Sequence, residues 1–254
     1  MIESEDHVHK MADAISAVAA ECGFTYVFKA SYDKANRSSI GGFRGPGLVE
    51  GLRILKGIRD RGFAVLTDIH ECCQVGPAAE AVDVLQIPAY LCRQTDLLLE
   101  AGRSGRIVNI KKGQFVAPHD IRHAGDKVAS TGNGQVVLTE RGSSFGYNNL
   151  VVDMRGLKIM ADTGWPVVFD ATHSVQLPGG GAGGTASGGQ PRFIEPLASA
   201  AVAVGVNGIF VEVHDEPEKA LSDGPNALRL DLLPGFLRKL RALNDARLAV
   251  DGLG

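Results

Sequence analysis

Polar side chains able to do chemistry recur at one kind of place in this sequence, the C-terminal ends of short apolar runs. Lys29 closes TYVFK, Asp68 and His70 close AVLTDIH, Gln86 lies near the end of VDVLQIP, and Lys111 and Lys112 close RIVNIKK. Arg141 follows QVVLTE, Asp170 and His173 end PVVFDATH, and Glu212 and His214 end GIFVEVH. Ammonium and guanidinium groups gathered at one place grip phosphate or carboxylate oxygens. The segment SYDKANRSSIGGFRG after the first run adds Lys34, Arg37 and Arg44 among hydroxyl and glycine residues. Alone, that segment reads equally well as a solvated basic loop. In a chain of formal net charge -3, this many cations at run ends point to focusing of an anionic substrate with more than one charged group.

A second constellation is His173, Glu212 and Asp223, which follow two successive runs and offer nitrogen and carboxylate ligands for a divalent metal. Each of these residues alone reads more simply as a hydrogen-bonding partner; three together with an open position resemble a catalytic metal site. Lys111 raises a further option, a Schiff base with a carbonyl substrate. Its neighbour Lys112 and the other cations make anion holding the simpler role.

These residues act together only if the fold converges the run ends. β-rich runs at 25–29, 64–70, 82–88, 106–112, 135–142, 166–173 and 208–214 alternate with helical patterns, the signature of βαβ units and a parallel sheet. In PGLVEGLRILKGIRDRG, Leu48, Leu52, Leu55 and Ile58 share one helical face, Pro46 suits the first turn and Gly62 the stop. Weaker helices are predicted at 92–104, 118–129, 149–162 and 192–205, with a last one near 234–246. The expected architecture is a single α/β domain over 1–254, a TIM (β/α)8 barrel whose strand ends meet at one mouth. Only seven runs are found where such a barrel has eight, and residues 4–22 read as a helix with no strand before it. The first strand is therefore expected to be missing from the chain as given. Residues 178–190 hold seven glycines and form a loop after the run ending at His173, read as a lid over the mouth rather than a passive insertion.

Length and composition agree with one core. The chain has 254 residues, 44% of them hydrophobic and 22% charged, an ordinary globular balance. No basic tail or charge block argues for nucleic acid, and no apolar stretch approaches the roughly 20 residues of a bilayer crossing. Cytoplasmic residence is the expectation. Cys72 and Cys73 are adjacent and, with Cys22 and Cys92, match neither a disulfide framework nor a zinc spacing, so all four read as reduced.

The motifs FKASYDKANRSSI, RGPGL, LTDIHE, LQIPAYLCRQTDLL, VNIKKGQF, TERGSSFGYNNLVVDMR, FDATHSVQLPGG and EVHDEPEKALSDGPNAL are dense and ordered over nearly the whole chain. With them the sequence resembles the 3-deoxy-D-manno-octulosonate 8-phosphate synthases. The resemblance implies a transferase that condenses phosphoenolpyruvate with arabinose 5-phosphate for lipopolysaccharide precursor synthesis. It implies that Lys29, Lys111 and Arg141 hold phosphoenolpyruvate with Lys34 and Gln86 alongside, and that Asn36, Arg37 and Ser38 bind arabinose 5-phosphate. Arg93 would reach into a neighbouring subunit's sugar-phosphate site within a homotetramer, and Asp68 would lie near the reacting sugar end. His173 and Asp223 would orient and activate water or aldehyde. In the metal-using branch His173, Glu212 and Asp223 would bind a divalent ion such as Zn, Fe or Mn.

The departure lies at the start. In the metal-using branch the first strand ends in a Gly-Pro-Cys motif whose cysteine is a fourth ligand, and here the chain opens MIESED. SVQLPGG and ALSDGPN look more like that branch than the metal-independent one. Met1 is accordingly expected to be an internal methionine of a longer Gly-Pro-Cys-Met-Ile-Glu-Ser run. A barrel lacking that strand would leave two unpaired edges and weak or absent activity. The rivals are a related synthase with another aldose, such as erythrose 4-phosphate, which KANRSS and CRQTD argue against, a Schiff-base aldolase on Lys111, and a non-catalytic ligand-binding scaffold.

Overall fold

The computed structural model describes residues 1–36, 40–180 and 188–252. Seven parallel strands form one sheet in sequential order: β1 (Val27–Lys29), β2 (Ala64–Asp68), β3 (Val84–Ile87), β4 (Ile107–Lys111), β5 (Val136–Glu140), β6 (Val167–Asp170) and β7 (Gly208–Phe210). The register pairs Asp68 with Gln86, Gln86 with Asn109, Lys111 with Thr139 and Asp170 with Phe210, which brings the chemical residues to one end of the sheet.

α1 (Glu5–Glu21) precedes β1 and α8 (Leu233–Asp251) follows β7, while α2 (Leu48–Asp60), α3 (Cys72–Ala81), α4 (Thr95–Arg103), α5 (Arg122–Ala129), α6 (Met154–Ala161) and α7 (Ile194–Val204) cross between successive strands. α1 starts where Ser4 leaves extended backbone and its Oγ accepts the His7 N–H at 3.2 Å, with Glu5 and Asp6 in the first turn to meet the helix dipole. α2 buries Leu52, Ile54, Leu55 and Ile58, each worth about 1.5–3 kcal/mol on removal from water. Gly51 lets this helix press on Tyr32, for a Cβ there would stand 2.2 Å from the tyrosine Cβ. β3 is buried at every position, and Leu85, Ile87, Val108, Ile110, Leu138 and Phe169 are wholly enclosed in the core.

Three features differ from the expectations. α3 falls where no helix is predicted, in a ten-residue stretch that contains Pro77 and two cysteines and carries little apolar periodicity. The run 208–214 is not one strand. After Phe210 the chain leaves the sheet, Glu212 N donates to Thr172 Oγ1 at 3.0 Å, and Val213–His214 pairs with Leu228–Arg229 instead. A short antiparallel ribbon joins Ser143–Ser144 to Leu150–Val151 after β5.

The seven-strand count agrees with the sequence. Among the described residues β1 and β7 are the two edges of the sheet, and a seam runs between them. A cavity of about 700 Å³ opens along that seam, lined by Val27 and Phe28 of β1, Ile209 and Phe210 of β7, and apolar side chains of α1 and α8 including Val8, Met11, Leu237 and Leu240. The part of the glycine-rich segment at 181–187 lies outside the described residues, so the lid expectation does too. Its base is a two-residue antiparallel pairing of Gln176–Leu177 with Gly188–Gly189.

Candidate active site

Because the strands run parallel, Lys29, Lys111 and Arg141 at their C-terminal ends come to the same end of the sheet, where three buried or nearly buried cations share two carboxylates. Lys111 Nζ lies 2.5 Å from Asp170 Oδ2 and 4.5 Å from the centre of the Phe210 ring. Lys29 Nζ donates to Ser31 Oγ at 2.7 Å and stands 3.3 Å from Asp68 Oδ1. Arg141 is 4% exposed, and one terminal nitrogen donates to Gln176 Oε1 at 2.6 Å. Its other terminal nitrogen, Nη1, is buried with no hydrogen-bond partner. Burial pushes Lys111 down, and Lys29 and Arg141 add to this against the pull of Asp170. Burial likewise lowers Arg141. A mouth with cations in excess and an unfilled guanidinium donor is built to take up an anion.

Beside it lies a histidine and carboxylate group. His173 Nδ1 is 2.9 Å from Asp170 Oδ2, and its Nε2 faces Glu212 Oε2 at 3.5 Å. Asp170 thereby holds the Nδ1 side of the ring and leaves Nε2 turned to the cluster, the arrangement that tunes metal-binding histidines. His173, Glu212 and Asp223 each present a ligand atom, all within 4.8 Å of one another. Glu212 Oε2 is buried and makes no hydrogen bond. Such a donor set fits a divalent cation. Asp223 occupies the left-handed backbone region at φ 56°, uncommon for a residue with a Cβ and typical of ligand clamps.

Lys34 ties the two halves, with Nζ 2.9 Å from Asp223 Oδ2. Burial pulls Lys34 down, but Asp223, Glu212 and Asp68 outweigh it and hold the ammonium above its usual range. Burial would raise Asp223, yet Lys34 and His173 keep its carboxyl well below the usual carboxylate range. Asp68 behaves the same way under Lys29 and His70, whose Nε2 is 2.9 Å from Asp68 Oδ2. Ser31 Oγ donates to the other Asp68 oxygen at 2.5 Å.

The sequence profile of the DAHP synthetase I family matches residues 1–249. The chain belongs to that family. It is 58% identical over 245 residues to the 2-dehydro-3-deoxyphosphooctonate aldolase of Citrifermentans bemidjiense, covering 96% of this chain and 89% of the relative. Proteins of the same name from Pelobacter propionicus and Geobacter sulfurreducens are 58% and 57% identical over the same shares.

In this member of the DAHP synthetase I family, the structure brings Lys29, Lys34, Asp68, Lys111, Arg141, His173, Glu212 and Asp223 together. Gln86 is buried one layer below, where its Oε1 accepts from Asn109 Nδ2 at 3.2 Å and Thr139 Oγ1 donates to Asn109 Oδ1 at 2.6 Å. Asn36 is exposed in a turn, and Arg37 and Ser38 lie outside the described residues. Arg93 is exposed and lines a separate cavity of about 380 Å³ with Phe115, His123 and Lys127.

Three of the cations and imidazoles named at run ends or in the loop after the first run do not join the mouth. Lys112 turns away from it into the barrel wall, with Nζ donating to Gly113 O, Val116 O and Ser143 Oγ. Arg44 is spent on Asp33, to which its Nε donates at 2.8 Å. His214 meets Glu3 and Asp215 instead. Two roles escaped the sequence reading. Asp170, named there only as a polar residue at a run end, is the hub that joins Lys111 to His173. Gln176 bridges Arg141 and Asp223, its Nε2 lying 3.5 Å from Asp223 Oδ1; its signal was its place just past a strand end, in SVQLPGG.

Proposed function

We propose that this chain condenses phosphoenolpyruvate with D-arabinose 5-phosphate and water, giving 3-deoxy-D-manno-octulosonate 8-phosphate and inorganic phosphate. The observation that carries the proposal is the buried, unpartnered Arg141 Nη1 beside Lys111 and Lys29, a preformed receptor for an oxyanion. The names borne by the relatives support the same substrates.

In this reading C3 of the enol phosphate bonds to the sugar aldehyde carbon while water adds to C2. The tetrahedral phosphate hemiketal then breaks its C2–O bond and releases phosphate. Lys29, Lys111 and Arg141 hold the phosphate and carboxylate of phosphoenolpyruvate, replacing water with fixed charges that need no reorganisation. Asp170 keeps His173 oriented, and Asp68, on the Lys29 and His70 side, faces the aldehyde end. Gln86 supports from the layer below, and Asn36, Arg37 and Ser38 take the sugar phosphate with Arg93 of a neighbouring subunit, so a homotetramer is part of the proposal.

His173, Glu212 and Asp223 would hold a divalent cation, which when bound supplies a Lewis acid that orients and polarises an oxygen ligand. Lys34 shares Asp223 with that position and balances its charge. Among the described residues no helix is long and apolar enough to cross a membrane, and cytoplasmic residence is proposed with the activity.

The test is phosphate release from phosphoenolpyruvate with arabinose 5-phosphate or erythrose 4-phosphate, each with and without chelator and added divalent metal. Turnover with arabinose 5-phosphate that chelator abolishes and metal restores is expected. Turnover confined to erythrose 4-phosphate would overturn the substrate assignment, and indifference to chelator would overturn the metal.

A further inference from the structure

We propose that the buried pair Lys112 and Glu140, behind the mouth, positions Lys111 and Arg141 and so sets how tightly the mouth holds phosphoenolpyruvate. The inference rests on the reading above that Lys111 and Arg141 hold that substrate.

Successive residues of a strand point to opposite faces. β4 and β5 end one after the other with Lys111–Lys112 and Glu140–Arg141, and the ladder runs one step past β4, Lys112 N donating to Thr139 O at 2.8 Å. The inward partners of these two strand ends are therefore both cations, Lys111 and Arg141. The outward partners are a cation and an anion. Lys112 is fully enclosed and Glu140 nearly so, with Lys112 Nζ 3.5 Å from Glu140 Oε2.

Each member of the pair grips backbone that carries the mouth. Glu140 Oε1 accepts the N–H groups of Arg141 at 2.8 Å and Gly142 at 2.5 Å, clamping the turn on which Arg141 stands. Gly142 sits at φ 90°, a conformation open to glycine, so the carboxylate holds a bend that a side chain at that residue would resist. Lys112 Nζ donates to Gly113 O at 3.2 Å, Val116 O at 3.1 Å and Ser143 Oγ at 3.2 Å, linking the loop after β4 to the loop after β5. The end of β4 and the turn after β5 carry like charges, Lys111 and Arg141, toward one site, and a tie behind them opposes their mutual repulsion.

Stability alone does not account for such a pair, because apolar replacement of a whole buried ion pair is often neutral or stabilising. What the pair supplies is a fixed spacing between two cations, and a bidentate anion site loses affinity when that spacing drifts.

Lys112→Met alone strands Glu140 and risks misfolding, so the decisive variant is Lys112→Met with Glu140→Gln, which leaves no buried net charge and keeps the Oε1 acceptor for Arg141 N and Gly142 N. Steady-state kinetics and direct titration with phosphoenolpyruvate are read beside the unfolding midpoint. Expected are a KM for phosphoenolpyruvate raised about tenfold, a KM for arabinose 5-phosphate unchanged, a kcat at saturation changed much less, and near-parental values in Lys112→Arg. A folded double variant that binds phosphoenolpyruvate as tightly as the parent overturns the inference, as does an equal loss in both KM values and kcat. Arg141→Met run in parallel separates the two claims: if it leaves phosphoenolpyruvate affinity intact, the assignment of the mouth itself has failed and the positioning role falls with it.

Discussion

Replacing Asp170 by Asn removes one charge and turns the acceptor facing Lys111 into an amide donor, with no change of shape. The isosteric amide retains Oδ1, which accepts the N–H groups of Thr172 at 3.2 Å and His173 at 2.8 Å, so the turn after β6 keeps its shape. What disappears is the negative charge at Oδ2, on which Lys111 and His173 converge. At an effective dielectric of about 20, two unit charges 2.5 Å apart attract by roughly 6–7 kcal/mol, which bounds the effect from above. Removing one partner of a buried pair costs about 3–5 kcal/mol in practice, since the other charge is left stranded. For a chain of this length that lowers the unfolding midpoint by roughly 10 °C. The measurement is thermal unfolding of Asp170→Asn and parent in chelator and phosphate-free buffer, repeated with phosphoenolpyruvate. The mouth of the variant carries a larger cation excess, so the substrate should raise its midpoint more than it raises the parent's. A variant as stable as the parent, or one that gains no more from the anion, would refute the assignment of Asp170 as counterion of the mouth.

Arg141→Met removes a buried cation with an unmade hydrogen bond, so it should leave stability equal or higher while raising the KM for phosphoenolpyruvate about a hundredfold, from a charge-assisted contact of about 2–3 kcal/mol; kinetics and unfolding on the same preparation check both halves. His173→Asn should remove one equivalent of bound divalent metal, counted by elemental analysis of the dialysed protein, with at least a roughly hundredfold loss in kcat. Ser4→Ala removes the α1 cap and should cost about 1 kcal/mol in urea unfolding with kinetic constants unchanged, because Ser4 caps a helix and touches none of the charged groups of the mouth.

The strands were legible because each is a short apolar run ending in a polar residue, and the crossover helix α2 because its leucines repeat at helical spacing. The helix α3 was illegible for the converse reason, since CCQVGPAAEA has few large apolar residues to mark a face and carries a proline inside. The run 208–214 reads as one strand locally, and only a tertiary partner, the Thr172 hydroxyl taking Glu212 N, breaks it in two. Lys111 and Lys112 show both the reach and the limit of sequence: alternation dictates that they face opposite ways, but which one faces the substrate depends on the position of Asp170 across two strands. Arg44 counted as an available cation until Asp33, eleven residues earlier, proved to hold it. Charge type and location were thus readable, whereas pairing was not, because pairing depends on distances between segments.

The seam between β1 and β7 grades the molecule's protection from solvent. Strand β3 is buried at all four positions, while no residue of β7 is fully buried and β1 begins exposed. Amide hydrogens should therefore exchange fastest along the two margins and slowest in β3 and β4, with opening that starts at the seam and leaves the centre of the sheet intact. Lys29 and Phe210 stand on those margins, and Lys111 and Arg141 stand inward of them. Local opening would disperse the mouth from one side, loosening the group around Lys29 before Lys111 and Arg141 are released.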